Sequence, residues 1–221
     1  MDIIFGSEEK VTVEYYASET DTAGTVELNP NQLDSLKKLM ETPALERVGI
    51  VVTDAPDKVQ TDILKVLTRL ENEDVHIGII GSTVSLEPLK KCAAKDIALT
   101  GCDLSQFPVY DVRILELGYC TGMDWSKLRE YKKLEVLSLG GDDLGPTTLA
   151  DITDHDTITF LDFDLPFRET AYTGSFPVVL ESGDTFPEEL LDILPYTAEE
   201  LQAFLDQEDV RLRIRINYFD Y

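Results

Sequence analysis

From Val112 onward, apolar residues recur in short alternating blocks set apart by polar turns. Val112-x-x-Leu115-x-Leu117-x-x-Cys120 is followed by Leu134-x-x-Leu137-x-Leu139-x-x-Asp142-x-Leu144, and then by Ile158-x-x-Leu161-x-Phe163. Alternation at period two marks a strand that buries one face. The same frame runs backwards through Ile97-x-Leu99-x-x-Cys102-x-Leu104 and Ile77-x-Ile79-x-x-Ser82-x-Val84, with Ile50-x-Val52 as an earlier copy. With Ile50, Ile77, Ile97, Leu115, Leu137 and Leu161 taken as equivalent, the copies lie 18 to 27 residues apart. A strand this short can bury its apolar side only against its neighbours, so the copies must stack to make a core.

A short strand, a Cys- or Asn-type turn and a return segment together resemble the leucine-rich repeat. Cys102 and Cys120 fill the turn position in consecutive copies, and Asp142 fills it in the next. The resemblance implies an α/β solenoid of parallel strands with short helical returns, and a binding scaffold rather than a reaction. A doubly wound α/β sheet is the alternative, because buried parallel strands also read as apolar runs. Residues 47–52, a helix and residues 75–80 would make one βαβ unit of such a sheet.

The flanks follow other rules. Val11-x-Val13-x-Tyr15 alternates as a half-buried strand, residues 18–24 are a polar turn, and Thr25 to Leu28 is the returning strand. Asn29-Pro30 then starts a helix whose apolar face is Leu33, Leu36, Leu39 and Met40. A further helix over 57–71 carries Val59, Ile63, Val66, Leu67 and Leu70 on one side. Shorter returns are expected at 86–94, 125–131 and 149–152, with Trp125, Leu128 and Tyr131 as a stripe facing the core. Residues 166–209 hold eleven acids against the single base Arg168. Two capping-box patterns stand in that region, Thr185-x-x-Glu188 and Thr197-x-x-Glu200. Val210, Leu212, Ile214 and Ile216 then alternate with Arg211, Arg213, Arg215 and Asn217, a closing strand with one apolar and one basic face. The expected organisation is one compact domain: a β/α cap over 1–44, the repeat-like array over 45–165, and an acidic cap with its closing strand over 166–221.

Charge narrows the function. The net charge of −24 excludes a general binder of nucleic acid or of an anionic membrane, since phosphates would repel it. It fits solubility, the steering of a basic protein partner, or adaptation to high salt. The 43% of hydrophobic residues argue for a folded chain, and no run approaches the roughly 20 apolar residues of a membrane span. Three cysteines without disulfide spacing, and an N-terminus without a basic region, point to the cytoplasm.

Candidate chemistry is sparse. His76 with a cysteine of the ladder is a conceivable dyad, but cysteines at that turn are normally buried packing residues. Zinc would need clustered Cys and His, and calcium an alternating loop that Asp151, Asp154 and Asp156 do not supply. The glycine-rich run from Gly140 to Gly145 lacks the lysine of a phosphate loop. No catalytic residue, metal or cofactor is expected.

The flanks of the Leu-x-Leu pairs offer a sharper expectation. They would point out from the sheet as a surface that runs from Val48, Gly49, Val51, His76, Gly78, Ile80, Ala98 and Thr100 into a more charged end. There Arg113, Glu116, Tyr119, Glu135, Phe160 and Asp162 are the expected partner-binding residues, with Ile114, Val136, Ser138 and Thr159 between them. An exposed apolar surface of this kind is a protein-interaction site. The expected function is therefore a non-enzymatic scaffold that binds a protein partner. The alternative is an acidic inhibitor or immunity-type protein that neutralises a basic or nucleic-acid-binding protein.

Overall fold

The computed structural model describes residues 3–6, 10–17, 22–28, 37, 45–52, 55–141 and 145–217. The expected helix after Asn29-Pro30, apart from Lys37, and the turn residue Asp142 lie outside the described residues. The chain divides into two compact units: Met1–Val112 with Cys120–Met123, and Arg113–Tyr119 with Asp124–Tyr221. Both are α/β: in the first unit three strand pairings are antiparallel and two parallel, and in the second all but one are parallel.

The first unit contains β1 (Ile3–Gly6), β2 (Lys10–Ala17), β3 (Thr22–Leu28), β4 (Leu45–Val51), β5 (His76–Ile80) and β6 (Asp96–Thr100). β2 pairs antiparallel with β1, β3 and β4, so a strand lies where one was expected around Val11. From β4 onward the pairing is parallel, with Val48 opposite Ile77 and Ile77 opposite Ile97. This corrects the expected first copy: the rung begins at Val48, two residues before Ile50. Val48 is accordingly 0% exposed and faces the core rather than solvent. Period-two alternation does not fix which residue starts the pairing; the partner strand does.

Helix α1 (Asp57–Leu67) returns β4 to β5 and buries Ile63, Leu64, Val66 and Leu67. A 3-10 turn, Glu87–Lys91, returns β5 to β6 and buries Leu89. One polar side chain enters this core with its partners supplied. Gln60 donates to the Ala55 carbonyl at 2.7 Å, while its oxygen accepts from the Thr83 amide at 3.1 Å and the Ser82 hydroxyl at 3.3 Å. The helix thereby satisfies the turn that follows β5, as buried polar groups require.

The second unit contains β7 (Ile114–Gly118), β8 (Val136–Gly140), β9 (Phe160–Pro166), β10 (Val178–Glu181) and β11 (Arg211–Asn217). Their order is β7-β8-β9-β11-β10, parallel except for β10, which runs antiparallel to β11. Leu115, Leu137, Leu161 and Leu212 stand in register, and Leu117, Leu139, Phe163 and Ile214 form the next row. All eight are buried. The returns are a 3-10 turn at Trp125–Glu130, helix α2 (Ala150–Thr153) and helix α3 (Ala198–Leu205). They add Leu128, Tyr131, Ile152, Leu201 and Phe204 to the core, whereas Trp125 is half-buried.

One of the two capping boxes forms. The Thr197 hydroxyl accepts from the Glu200 amide at 3.2 Å, and Glu200 accepts from the Thr197 amide at 3.0 Å. Glu200 also accepts from the Leu149 amide at 3.0 Å, tying α3 to the start of α2. At Thr185-x-x-Glu188 the helical segment is only Glu188–Leu190, and Pro187 occupies the cap. A residue before proline is driven away from helical backbone, so Phe186 cannot serve the box.

Among the described residues, no helix is long and apolar enough to cross a membrane.

Candidate functional site

The second unit buries one face of its sheet and leaves the other accessible to solvent. Along β7 the inward residues Leu115 and Leu117 are buried, while Ile114, Glu116 and Gly118 are half-exposed. Parallel register carries this across the strands as three rows. The first is Ile114, Val136, Phe160 and Arg211; the second is Glu116, Ser138, Asp162 and Arg213; the third is Gly118, Gly140, Asp164 and Arg215. On this face β7 carries Ile114, Glu116 and Gly118 and β8 small or aliphatic residues, while carboxylates and guanidiniums gather on β9 and β11.

Asp162 is the centre of that charged end. Its carboxylate is 1% exposed and accepts five hydrogen bonds. Arg213 donates through Nε at 2.7 Å and Nη2 at 3.0 Å, Arg215 through Nε at 3.2 Å and Nη2 at 2.5 Å, and the Ser138 hydroxyl at 2.9 Å. Burial pushes the Asp162 carboxyl up, but the two arginines and the serine outweigh it and hold the group below the usual carboxylate range. On Arg215 burial works against the charge, and the Asp162 contact overcomes it, so the guanidinium sits above its ordinary value. Asp164, 3.4 Å from Arg215, is pushed up by burial, and the neighbouring arginines recover only part of that.

Phe160 lies beneath this network, with the Arg213 guanidinium 5.1 Å from its ring centroid, within cation–π reach. At the N-terminal ends of these strands is an open cleft of about 510 Å³. Val136, Phe160, Glu181, Asp209 and Arg211 are among the residues that line it.

The expected partner-binding residues divide into three groups. Glu116, Phe160 and Asp162 come together on the accessible face, although Asp162 presents no free carboxylate because Arg213 and Arg215 close over it. Arg113 and Glu135 sit one residue before β7 and β8, joined through the backbone by the Glu135 amide and the Arg113 carbonyl at 2.9 Å, and both are exposed. Tyr119 follows β7, is 50% exposed, and has φ of 53°. The residues in the same position after β5, β6 and β8 are Gly81, Gly101 and Gly141, all with positive φ. Only at Tyr119 does a residue with a side chain take the left-handed conformation at this turn, at a cost of about 1–2 kcal/mol. Strain of this kind is commonest at functional sites.

The residues that sequence reasoning left out of this site are Arg211, Arg213 and Arg215. Their alternation with Val210, Leu212 and Ile214 was the available signal. It gave the face they share but not the strand they would lie beside.

The other candidates have structural partners. His76 bonds Asp96 through Nδ1 at 2.9 Å, while the Cys102 thiol donates to the carbonyls of Thr100 and Ile79 rather than to an imidazole. His155 is buried, bonded to the Leu128 carbonyl at 3.2 Å, and held below its ordinary pKa by that burial. Asp151 and Asp154 both face Arg129.

Comparison with known proteins finds no family, no curated sequence and no solved structure that matches this chain. The architecture is α/β, with in-register parallel strands in each unit.

Proposed function

We propose that the chain is a non-enzymatic protein-binding module, and that it takes its partner on the accessible sheet face of the second unit. The observation that supports this reading is Tyr119: a half-exposed aromatic kept in a strained backbone conformation where the neighbouring turns use glycine. Aromatic and arginine side chains on a rigid strand surface are the usual anchors of protein recognition. Here Tyr119 and Phe160 are the aromatic anchors. The partner is proposed to carry basic groups around an apolar centre, because the chain has a net charge of −24 that would steer them inward.

The test compares the proteins captured from source cells by the wild type and by Tyr119→Ala with Phe160→Ala, at low and at moderate salt. A discrete partner lost in the double variant, with melting temperature nearly unchanged, supports the reading. A partner retained by the variant places the interface elsewhere. Recovery of basic nucleic-acid-binding proteins at low salt alone would favour the acidic-inhibitor class, since exposed charge pairs are screened within about 10 Å at 0.1 M salt.

A further inference from the structure

The two turn cysteines of the first unit lie on neighbouring rungs. Asp103 and Thr121 form a parallel bridge, with the Thr121 amide donating to the Cys102 carbonyl at 3.0 Å and the Leu104 amide to the Thr121 carbonyl at 2.7 Å. One residue back from that bridge, the backbone sets Cys102 beside Cys120. Neighbouring strands run about 4.8 Å apart, inside the roughly 4.4–6.8 Å that a disulfide spans between α carbons. The thiols are held alike, Cys102 bonding the Ile79 carbonyl at 3.5 Å and Cys120 the Leu99 carbonyl at 3.3 Å, so each reaches back to the same position of the preceding rung. They differ in access: Cys102 is buried, whereas Cys120 is partly exposed.

We propose that Cys102 and Cys120 are a vicinal dithiol, a modification site that reacts with low-molecular-weight disulfides and closes to an intramolecular disulfide across the two rungs. The order of steps follows from access. The Cys120 thiolate attacks one sulfur of oxidised glutathione, forms a mixed disulfide and expels one glutathione thiolate, which takes up a proton. Cys102 then loses its proton and attacks the Cys120 sulfur, expelling the second glutathione. The protein gives up two electrons and two protons, and the small disulfide receives both. Contact with Cys120 and then burial hold the Cys102 thiol well above its usual range, which keeps it protonated during the first step. Once Cys120 carries glutathione, the larger of those two causes is gone and Cys102 is released to attack. Cys92 is buried in another part of the unit, its thiol pushed up by burial, and takes no part.

The test equilibrates the full chain with glutathione mixtures of rising oxidised fraction. Acid quenching, alkylation in denaturant and peptide mapping then read each cysteine. The expected result is loss of alkylation at Cys102 and Cys120 together, with the two peptides linked and Cys92 still alkylated. Cys102→Ser is expected to stop at a stable glutathione adduct on Cys120. Full alkylation of both residues at the most oxidising ratio overturns the proposal, as does a bridge that includes Cys92 or a wild-type adduct that never closes. Should Cys102→Ser not fold, the wild-type map decides alone.

Discussion

The ring of Tyr119 lies against the backbone of Gly141, so closely that a Cβ on Gly141 would come within 2.8 Å of it. The two residues occupy the same turn position on adjacent strands, and both have positive φ. Gly141→Ala is expected to lower stability by about 1–2 kcal/mol from the left-handed backbone alone, and to push the Tyr119 ring outward. Tyr119→Gly is expected to raise the melting temperature slightly, since it relieves the strain and loses only the ring contact. Thermal denaturation of both variants decides the matter. A fall for Tyr119→Gly as large as that for Gly141→Ala would mean the ring contact outweighs the strain.

Asp162→Ala leaves two guanidiniums facing each other without their carboxylate. The expected loss is about 3 kcal/mol, the low end for stripping one member of a buried pair. The low end applies because Arg213 and Arg215 keep 36% and 37% of their side-chain surface exposed, and water screens part of the repulsion. Arg213→Ala with Arg215→Ala strands a buried carboxylate instead and should cost more. Urea unfolding of the two variants gives the order, and the reverse order would refute this account.

The two threonine motifs give a paired prediction. Thr197→Ala removes a hydroxyl that caps α3 and is expected to cost about 1 kcal/mol. Thr185→Ala touches no realised box and should stay within about 0.5 kcal/mol, as surface substitutions do. Equal losses in chemical denaturation would mean that the cap at Thr197 carries no special weight.

His155 sets a pH dependence. Its folded pKa lies below the ordinary 6.5 because burial disfavours the charged imidazole. The unfolded chain therefore binds the proton first as pH falls. The contribution is fully present above 6.5 and is lost as pH drops through the folded value. Melting temperature should decline through that window in the wild type, and less so in His155→Gln. Parallel declines in the two would assign the slope to other groups.

How much of this was legible in the chain depended on distance. Leu115, Leu137 and Leu161 showed their register because each rung repeats the same local pattern, and Leu-x-Leu spacing survives any return length. Val48 did not, because period-two alternation leaves the first paired residue open and only the partner strand selects it. Asp162 stands in the row expected to face out, yet it is buried, and that burial depends on arginines about fifty residues away, which no local period encodes. The box at Thr185 failed for a local reason that was in plain view, the proline at 187. Tyr119 was singled out for its exposure, whereas its backbone conformation became visible only beside Gly101 and Gly141.

The placement of β11 has a consequence for synthesis. Leu161 and Phe163 acquire their outer neighbours, and Asp162 its counter-charges, only when Arg211 to Arg215 have been made. A growing chain must therefore hold an apolar strand edge and an uncompensated carboxylate through all of the acidic stretch between β9 and β11. Non-local pairing of this kind is slow to form and open to misassembly while it waits. The eleven acids of residues 166–209 are made during that interval, and their like charge repels one nascent chain from another.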